Sequence, residues 1–421
     1  MQKEYKECNI IPAERVGCVE EYYFSKKLQE IAEMNAAGKD VINLGIGSPD
    51  MPPSKDAIDT LCTEARKDDV HGYQSYVGIP VLRKGYAEWY KKWYGVKLNP
   101  DTEIQPLIGS KEGILHISMA FLNQGDGVLV PNPGYPTYTS VSKLIGADIV
   151  SYKLEEKNGW YPDFDELARL LSERRDAGKP KVKLMWANYP NMPTGANATP
   201  ELFEKLVDFG RSNGIIICND NPYSFILNEN PLSILSVNDA KDICIELNSM
   251  SKSHNMPGWR MAMIASNARF VQWVLKVKSN VDSGQFRPMQ SAVAEALKAG
   301  REWYDNMNDI YRSRRDLAGQ IMNVLGCTYD VKQVGLFLWG RMPDNIESCE
   351  YLADKVLYES NVFITPGSVF GSGGDRYMRI SLCCKKEALE KALAKVELLN
   401  EKRKKKNEKL IQQFNNSTIK Q

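Results

Sequence analysis

Histidine is scarce in this 421-residue chain, with three in all, at 71, 116 and 254. That scarcity argues against a metal centre built on imidazoles and against a Ser-His-Asp triad. Net charge is nearly absent: 54 Lys and Arg against 53 Asp and Glu leave +1. No global field therefore marks a nucleic-acid partner. No apolar run is long enough to span a bilayer, and the opening MQKEYKECNIIPAERVG lacks the apolar stretch of a signal peptide. The nine cysteines are scattered, without a C-x-x-C pair. That pattern fits neither a disulfide framework nor a zinc site, and it suits the reducing cytosol. Internal repeats and low-complexity linkers are missing too. The one strong charge run, EKRKKKNEK at 401–409, reads as the solvated end of a C-terminal helix, where lysines suit the helix dipole.

What is present is an alternation of strand-like and helix-like segments, which predicts an α/β fold. ADIVSYKL (147–154), KVKLMWANY (181–189), NGIIICND (213–220) and DICIELNSMS (242–251) read as strands, and DGVLVPNPGYP as a short buried strand running into a turn. The stretch 199–214 reads as a helix with Leu202, Leu206 and Phe209 on one face and Gly214 ending it. A second helix spans 109–125, with Ile114, Ile117, Phe121 and Leu122 as its stripe and Ser110 as N-cap. Helical patterning from Val293 to Leu325, then VGLFLWGRM and RYMRISLCC as strands, predicts a smaller α+β unit. His116 falls inside a helical pattern and reads as a packed residue.

In an open α/β sheet, ligands sit beyond the carboxyl ends of the strands. Here those ends carry Asp220 with Tyr223 close behind, the turn NYPNMPTG, the aromatic turn PNPGYP, and SMSKSHNMPGWR with Ser249, Ser251, Lys252 and Arg260. The helix starting at Ser110 offers free N–H groups and a positive dipole end for a phosphate. Ser249 can donate a hydroxyl to the same phosphate, and Arg260 can grip it in a charge-assisted fork. A lysine amine can condense with an aldehyde, and an acid can pair with a protonated ring nitrogen. Together these are the requirements of pyridoxal 5′-phosphate.

From INLGIGSPDMP (42–52) to RYMRISL (376–382) the chain resembles the class I/II pyridoxal-phosphate aminotransferases, which share the fold of aspartate aminotransferase. SMSKSHNMPGWR is the most specific part of that resemblance. It implies Lys252 as the Schiff-base lysine, with Ser249 and Arg260 on the phosphate and Ser251 beside them. GSKEG resembles the phosphate turn, implying Ser110 and Lys111. NPGYP implies Tyr135 stacked on the ring, and NDNPY implies Asp220 at the ring nitrogen and Tyr223 at the ring hydroxyl. GYQSYVGIPVLR implies that Tyr73 reaches the phosphate in a neighbouring subunit. YMRIS implies Arg379 on the substrate's α-carboxylate, and LGIG implies close backbone approach at Gly45. The chain departs from the family at Met192, where N-P-T-G is usual. A thioether is a weak acceptor and no donor, so Asn188 or Asn191 is expected to serve the ring hydroxyl instead.

The resemblance implies fold type I of the pyridoxal-phosphate enzymes: a large domain at 56–290, with a mostly parallel sheet flanked by helices, and a small α+β domain from 1–55 and 291–421. It implies a cytoplasmic homodimer with shared sites, in which Tyr73 and the loop 279–286 are candidates to cross the interface. No metal, nucleic-acid or membrane partner is expected. The implied reaction passes an amino group between an L-amino acid and a 2-oxo acid. Lys252 moves the Cα proton, Asp220 and Tyr223 tune the ring, and glutamate and 2-oxoglutarate form one pair. Lys111 lies where some relatives meet an acidic substrate. LGIGSPDMP and GIPVLRKGYAEWY are similar to diaminopimelate and alanine aminotransferases. A carbon–sulfur β-lyase on the same fold is the alternative chemistry, and a non-catalytic regulator the alternative class.

Overall fold

A run of apolar residues long enough for a strand, closed by a turn residue, recurs along the first two thirds of the chain and builds one sheet. The computed structural model describes residues 10–401. In chain order its strands are β1 Ile42–Asn43, β2 Ile104–Leu107, β3 Gly127–Asn132, β4 Asp148–Lys153, β5 Val182–Ala187, β6 Ile216–Asp220, β7 Cys244–Ser249, β8 Ala262–Ala265, β9 Phe337–Arg341, β10 Val362–Phe363, β11 Thr365–Pro366 and β12 Tyr377–Ser381. β2 to β8 form a seven-stranded sheet in the order β2-β8-β7-β6-β5-β3-β4. β8 runs antiparallel to both its neighbours, and the remaining pairings are parallel.

Both faces of this sheet are covered, so its strands inside the edge strand β4 are buried along nearly their whole length rather than on alternate residues. Val128, Val130, Leu184, Trp186, Cys218 and Leu247 pack on one side with residues of the helices Ser110–Phe121, Pro136–Leu144 and Ala268–Lys278. Leu129, Met185, Ala187, Ile217 and Cys244 pack on the other with residues of Pro80–Tyr94 and Pro200–Asn213. The last of these helices has the ends its sequence predicts. Thr199 accepts from the Leu202 N–H, and Gly214 closes it in the left-handed region at φ 64°.

β9, β11 and β12 make a separate antiparallel sheet, and β1 pairs with β10 in parallel. The patterning over 293–325 resolves into two helices, Arg287–Ala296 and Arg301–Val324. Cys383 and Cys384 lie past the end of β12 rather than in a strand. The segment after β1 is tied to β12: Ser381 donates its N–H to Leu44 O at 2.7 Å and its hydroxyl to Ile46 O at 2.8 Å. Arg314 grips Asp50 through two bonds of 2.7 and 2.9 Å. These ties carry residues 45–47 across to the mouth of the large sheet. The helix after β12 covers 386–401, and most of the basic run at 401–409 lies outside the described residues.

Candidate active site

β3, β5, β6 and β7 are parallel neighbours, so their carboxyl ends lie along one edge of the sheet. A cavity of about 570 Å³ is lined by residues from all four ends, and also by residues before β2 and after β8. Of the residues singled out in the sequence, it takes in Ser110, Lys111, Tyr135, Asn188, Asp220, Tyr223, Ser249, Ser251, Lys252, Arg260 and Arg379. Among the described residues lining it, Asp220 is the one acid, against four basic side chains, Lys111, Lys252, Arg260 and Arg379.

Lys252 sits on a single helical turn, Met250–Ser253, directly after β7. Ser249 caps that turn by accepting from the Ser251 N–H at 3.1 Å. The lysine stem is partly exposed, but its amine is enclosed and donates to Gly47 O. Burial holds the amine below the ordinary lysine range, and Arg379 and Arg260 push it the same way against an opposing Cys383 thiol. A shift in that direction favours the neutral amine, the form that can accept a proton.

Asp220 ends β6 at 4% exposure. Its Oδ2 accepts from the Tyr138 hydroxyl at 2.9 Å, while Oδ1 has no partner. Burial raises the carboxyl to about 7, with the Tyr138 bond opposing. Tyr138 is held for this task by stacking on Trp186 at 5.0 Å and 6°. Its place in NPGYPTY, one helical turn after Tyr135, was the available sequence signal. The orphaned oxygen, buried at the cavity wall, fits a cationic N–H, such as that of a protonated pyridine ring.

At another wall lies an anion cup. Gly109 caps the helix Ser110–Phe121 at φ 80°, so Ser110 is its first residue and not its N-cap as expected. A Cβ on Gly109 would fall 1.9 Å from Arg260 Nη2, so the glycine is what lets the guanidinium lie against the turn. Arg260, itself left-handed at φ 55°, donates to Pro257 O at 2.8 Å. The Ser249 and Ser110 hydroxyls and the free N–H groups of the helix start face the same cavity. This donor set fits phosphate.

Arg379, on β12, is buried without a carboxylate partner among the described residues. Nη2 donates to Gly45 O at 2.7 Å and Nη1 to Met192 Sδ at 3.2 Å, while Nε has no partner. The guanidinium lies over the rings of Phe337 at 3.9 Å and Phe370 at 4.4 Å. Burial lowers it to about 10, against the Tyr223 hydroxyl and other partners that raise it.

Three expected residues sit elsewhere. Asn191 does not line the cavity: its amide bonds Asn188 O and Thr194, holding the turn. Tyr73 is 97% exposed on the surface, near the bridge between Gln74 and Gly284. Gly45 is behind the wall, where a Cβ would meet Phe363 at 2.2 Å, and its neighbours Ile46 and Gly47 line the cavity. Asn188 does line it, but both ends of its amide are engaged, Nδ2 by Asp220 O at 2.6 Å and Oδ1 by the Met192 N–H at 2.8 Å. The sequence reading missed Tyr22, Phe24, Ser25 and Leu28, which also line the cavity. Tyr22 precedes, and the other three lie on, the amphipathic helix Tyr23–Ala36, which carries no motif. Lys111 stands over the Tyr22 ring at 4.5 Å.

The chain is similar to known proteins over nearly its whole length. The family described as aminotransferase class I and II matches residues 39–396. An LL-diaminopimelate aminotransferase from Oleidesulfovibrio alaskensis is 41% identical over 387 residues, covering 91% of this chain and 98% of that protein. One from Dehalococcoides mccartyi is 38% identical over 386 residues, covering 91% and 97%. The substrate-bound BacF structure from Bacillus subtilis superposes with a TM-score of 0.86 at 34% identity, covering 93% of this chain and 98% of the other. The chain belongs to the class I and II aminotransferases and is a pyridoxal-phosphate-dependent enzyme of that family.

Proposed function

We propose that this aminotransferase takes its amino group from an L-amino acid with a second ionic end, of the diaminopimelate type, and passes it to 2-oxoglutarate to give glutamate. The observation that carries the reading is Arg379, a buried guanidinium with no carboxylate partner among the described residues, in the same cavity as a lysine whose amine burial holds below the ordinary lysine range. Such a group is complementary to an α-carboxylate. The second ionic end is supported by Lys111 at the cavity wall, which rests on an aromatic ring rather than on an acid. The names of the relatives from O. alaskensis and D. mccartyi point the same way.

Bound pyridoxal phosphate supplies an aldehyde carbon for the amino nitrogen and a ring that takes up the electrons left when Cα loses its proton. Ser110, Ser249 and Arg260 hold its phosphate, and Tyr135 covers a ring face. Asp220 offers its free oxygen to the ring nitrogen. Tyr223, whose hydroxyl burial keeps protonated, serves the ring oxygen. Arg379 fixes the substrate carboxylate, which orients the Cα–H bond. Lys252 would take the Cα proton and return it on the far side of the amino nitrogen, acting as base and then as acid.

The same reading divides the chain into a large part at 56–290 and a small part from the two flanks, working as a cytosolic homodimer. Support for the dimer is the exposed apolar group Tyr73, Tyr76, Val281 and Phe286. His71 stacks on Phe286 at 5.8 Å within it.

The test is an absorbance spectrum of the holoenzyme with single amino acids and no 2-oxo acid. Conversion of the lysine-bound cofactor band to that of the amine form by LL-diaminopimelate, and its reversal by 2-oxoglutarate, is expected. Conversion by glutamate but not by LL-diaminopimelate overturns the donor. Pyruvate and ammonia appearing while the band persists would identify a lyase.

A further inference from the structure

Below the anion cup lies a buried charge cluster that the reaction does not use. Glu112, on the first turn of the helix Ser110–Phe121, accepts from the Ile108 N–H at 2.7 Å through Oε2. It thereby closes the turn 108–110 from inside, as a capping-box carboxylate does. Its Oε1 meets His116 Nε2 one turn along the same helix, and Lys278 Nζ stands 3.6 Å away. Lys278, 1% exposed at the end of the helix Ala268–Lys278, also binds Asp282. Asp282 Oδ2 is 3.4 Å from His116 Nε2. Two carboxylates and an imidazole of this kind can surround a metal ion, but the cation in their midst is the Lys278 ammonium.

Asp282 lies within the segment 279–286, and the far end of that segment returns to the cup. Gln285 Nε2 donates to Leu107 O at 3.0 Å and to Arg260 O at 2.9 Å. A Cβ on Gly284 would fall 2.4 Å from both Gln74 O and Ser75 O, so the segment also lies flat on the stretch next to Tyr73. The turn before Ser110 and the residue Arg260 are thus held from below by one connected brace. Burying Lys278 beside His116 is costly unless the ammonium is paired, and the half-buried Glu112 and Asp282 supply that pairing.

We propose that Glu112 is a positioning residue for the phosphate end of the cofactor, fixing the turn 108–110 directly and Arg260 through Lys278, Asp282 and Gln285. This rests on the reading that Ser110, Ser249 and Arg260 take the phosphate. Glu112→Gln keeps the side-chain shape and removes the charge that Lys278 and His116 share.

The experiment follows cofactor retention in the holoenzyme and in E112Q, Q285A and R260Q. Each is dialysed and then titrated with pyridoxal 5′-phosphate or with pyridoxal, which lacks the phosphate, reading the visible band. E112Q is expected to bind the phosphate-bearing cofactor about tenfold more weakly, the worth of one charge-assisted hydrogen bond. Its affinity for pyridoxal and its band position are expected to be unchanged. Q285A, which leaves the buried cluster intact, is expected to show the same phosphate-selective loss in smaller measure, and it decides the matter if E112Q does not fold. Native affinity in E112Q and Q285A with loss in R260Q overturns the positioning role and leaves the cup standing. Native affinity in all three overturns the phosphate reading and this inference with it. Equal loss toward pyridoxal and pyridoxal phosphate means general damage, which also overturns it.

Discussion

The interior of this protein and its cavity use the same buried charges in opposite ways. Glu246 and Asp220 stand on adjacent strands, β7 and β6, both buried. Glu246 accepts from Ser233 at 2.7 Å, Tyr90 at 3.0 Å, Ile234 N–H at 3.0 Å and Asn219 at 3.3 Å. Asp220 has Tyr138 alone and one oxygen left over. Arg314 and Arg379 are likewise both buried, and each leaves its Nε without a partner. Arg314 has the Asp50 carboxylate; Arg379 has a carbonyl and a thioether. Lys278 is clasped by two carboxylates, while among the described residues Lys252 reaches a carbonyl only. Burial of charge therefore does not mark the site. What marks it is the missing counterpart, since a native fold rarely leaves buried polar groups unmatched without a reason.

The sharpest break of this comparison is at the lysine. Lys252→Ala is expected to lower transamination by about 10⁴-fold or more, because one residue supplies both the covalent link and the proton transfer. Its unfolding midpoint should stay near that of the native chain, because no ion pair is lost. Steady-state assay beside a thermal melt checks both. Retained activity would mean that another amine does the chemistry.

Next come the two arginines. Arg379→Leu should cost about 10²–10³-fold in kcat/KM, the range for removing one partner of a buried charge pair in a complex, with little change in stability. Arg314→Leu should do the reverse. It leaves Asp50 unpaired and should cost about 3 kcal/mol of folding free energy, read by urea unfolding, while kcat/KM stays near native. If both variants lose the same property, the distinction between a filled and a waiting cation fails. The acids are third. Asp220→Asn should lower turnover about 10²-fold, as loss of one preorganised electrostatic contact does. Glu246→Gln should cost about 1–3 kcal/mol of stability by leaving donors unmatched, with turnover nearly intact.

Much of this contrast was legible before the coordinates. Lys252, Asp220, Ser249 and Arg260 follow strands with plain apolar patterns, so their convergence follows from parallel topology. Arg379 was legible only through the family motif around it, because the antiparallel β12 carries no independent signal. Tyr138 and Phe337 were missed, since an aromatic on a helix or strand reads as core until its contact is seen. The N-terminal wall, Tyr22 to Leu28, was missed because it reaches the cavity by a long-range return that no local pattern encodes. Asn191 lies off the cavity for a local reason. In a turn rich in amides, which one faces inward depends on backbone bonds, and here Asn191 holds Thr194. Glu112 and His116, four residues apart on a helix, looked like ordinary helix positions, because their partners lie more than 150 residues away.

The smallest effect tests the carboxylate alone. In the cofactor-free protein burial raises Asp220 from 3.8 to about 7. Between those values the folded chain keeps a proton that the unfolded chain has released. The unfolded state then binds fewer protons, so stability falls as pH rises through that window. From about pH 5 to about pH 7.5 this group should remove roughly 2–3 kcal/mol. Asp220→Asn cannot titrate and should lack that slope, so the variant gains on the native protein as pH rises. Urea unfolding of both cofactor-free proteins across the window gives the difference directly. Adding pyridoxal phosphate should abolish it, because a cationic partner for the free oxygen lowers the carboxyl again. Parallel slopes without cofactor would mean that Asp220 is already matched, and the cavity would then lose the unpaired acid that sets it apart from Glu246.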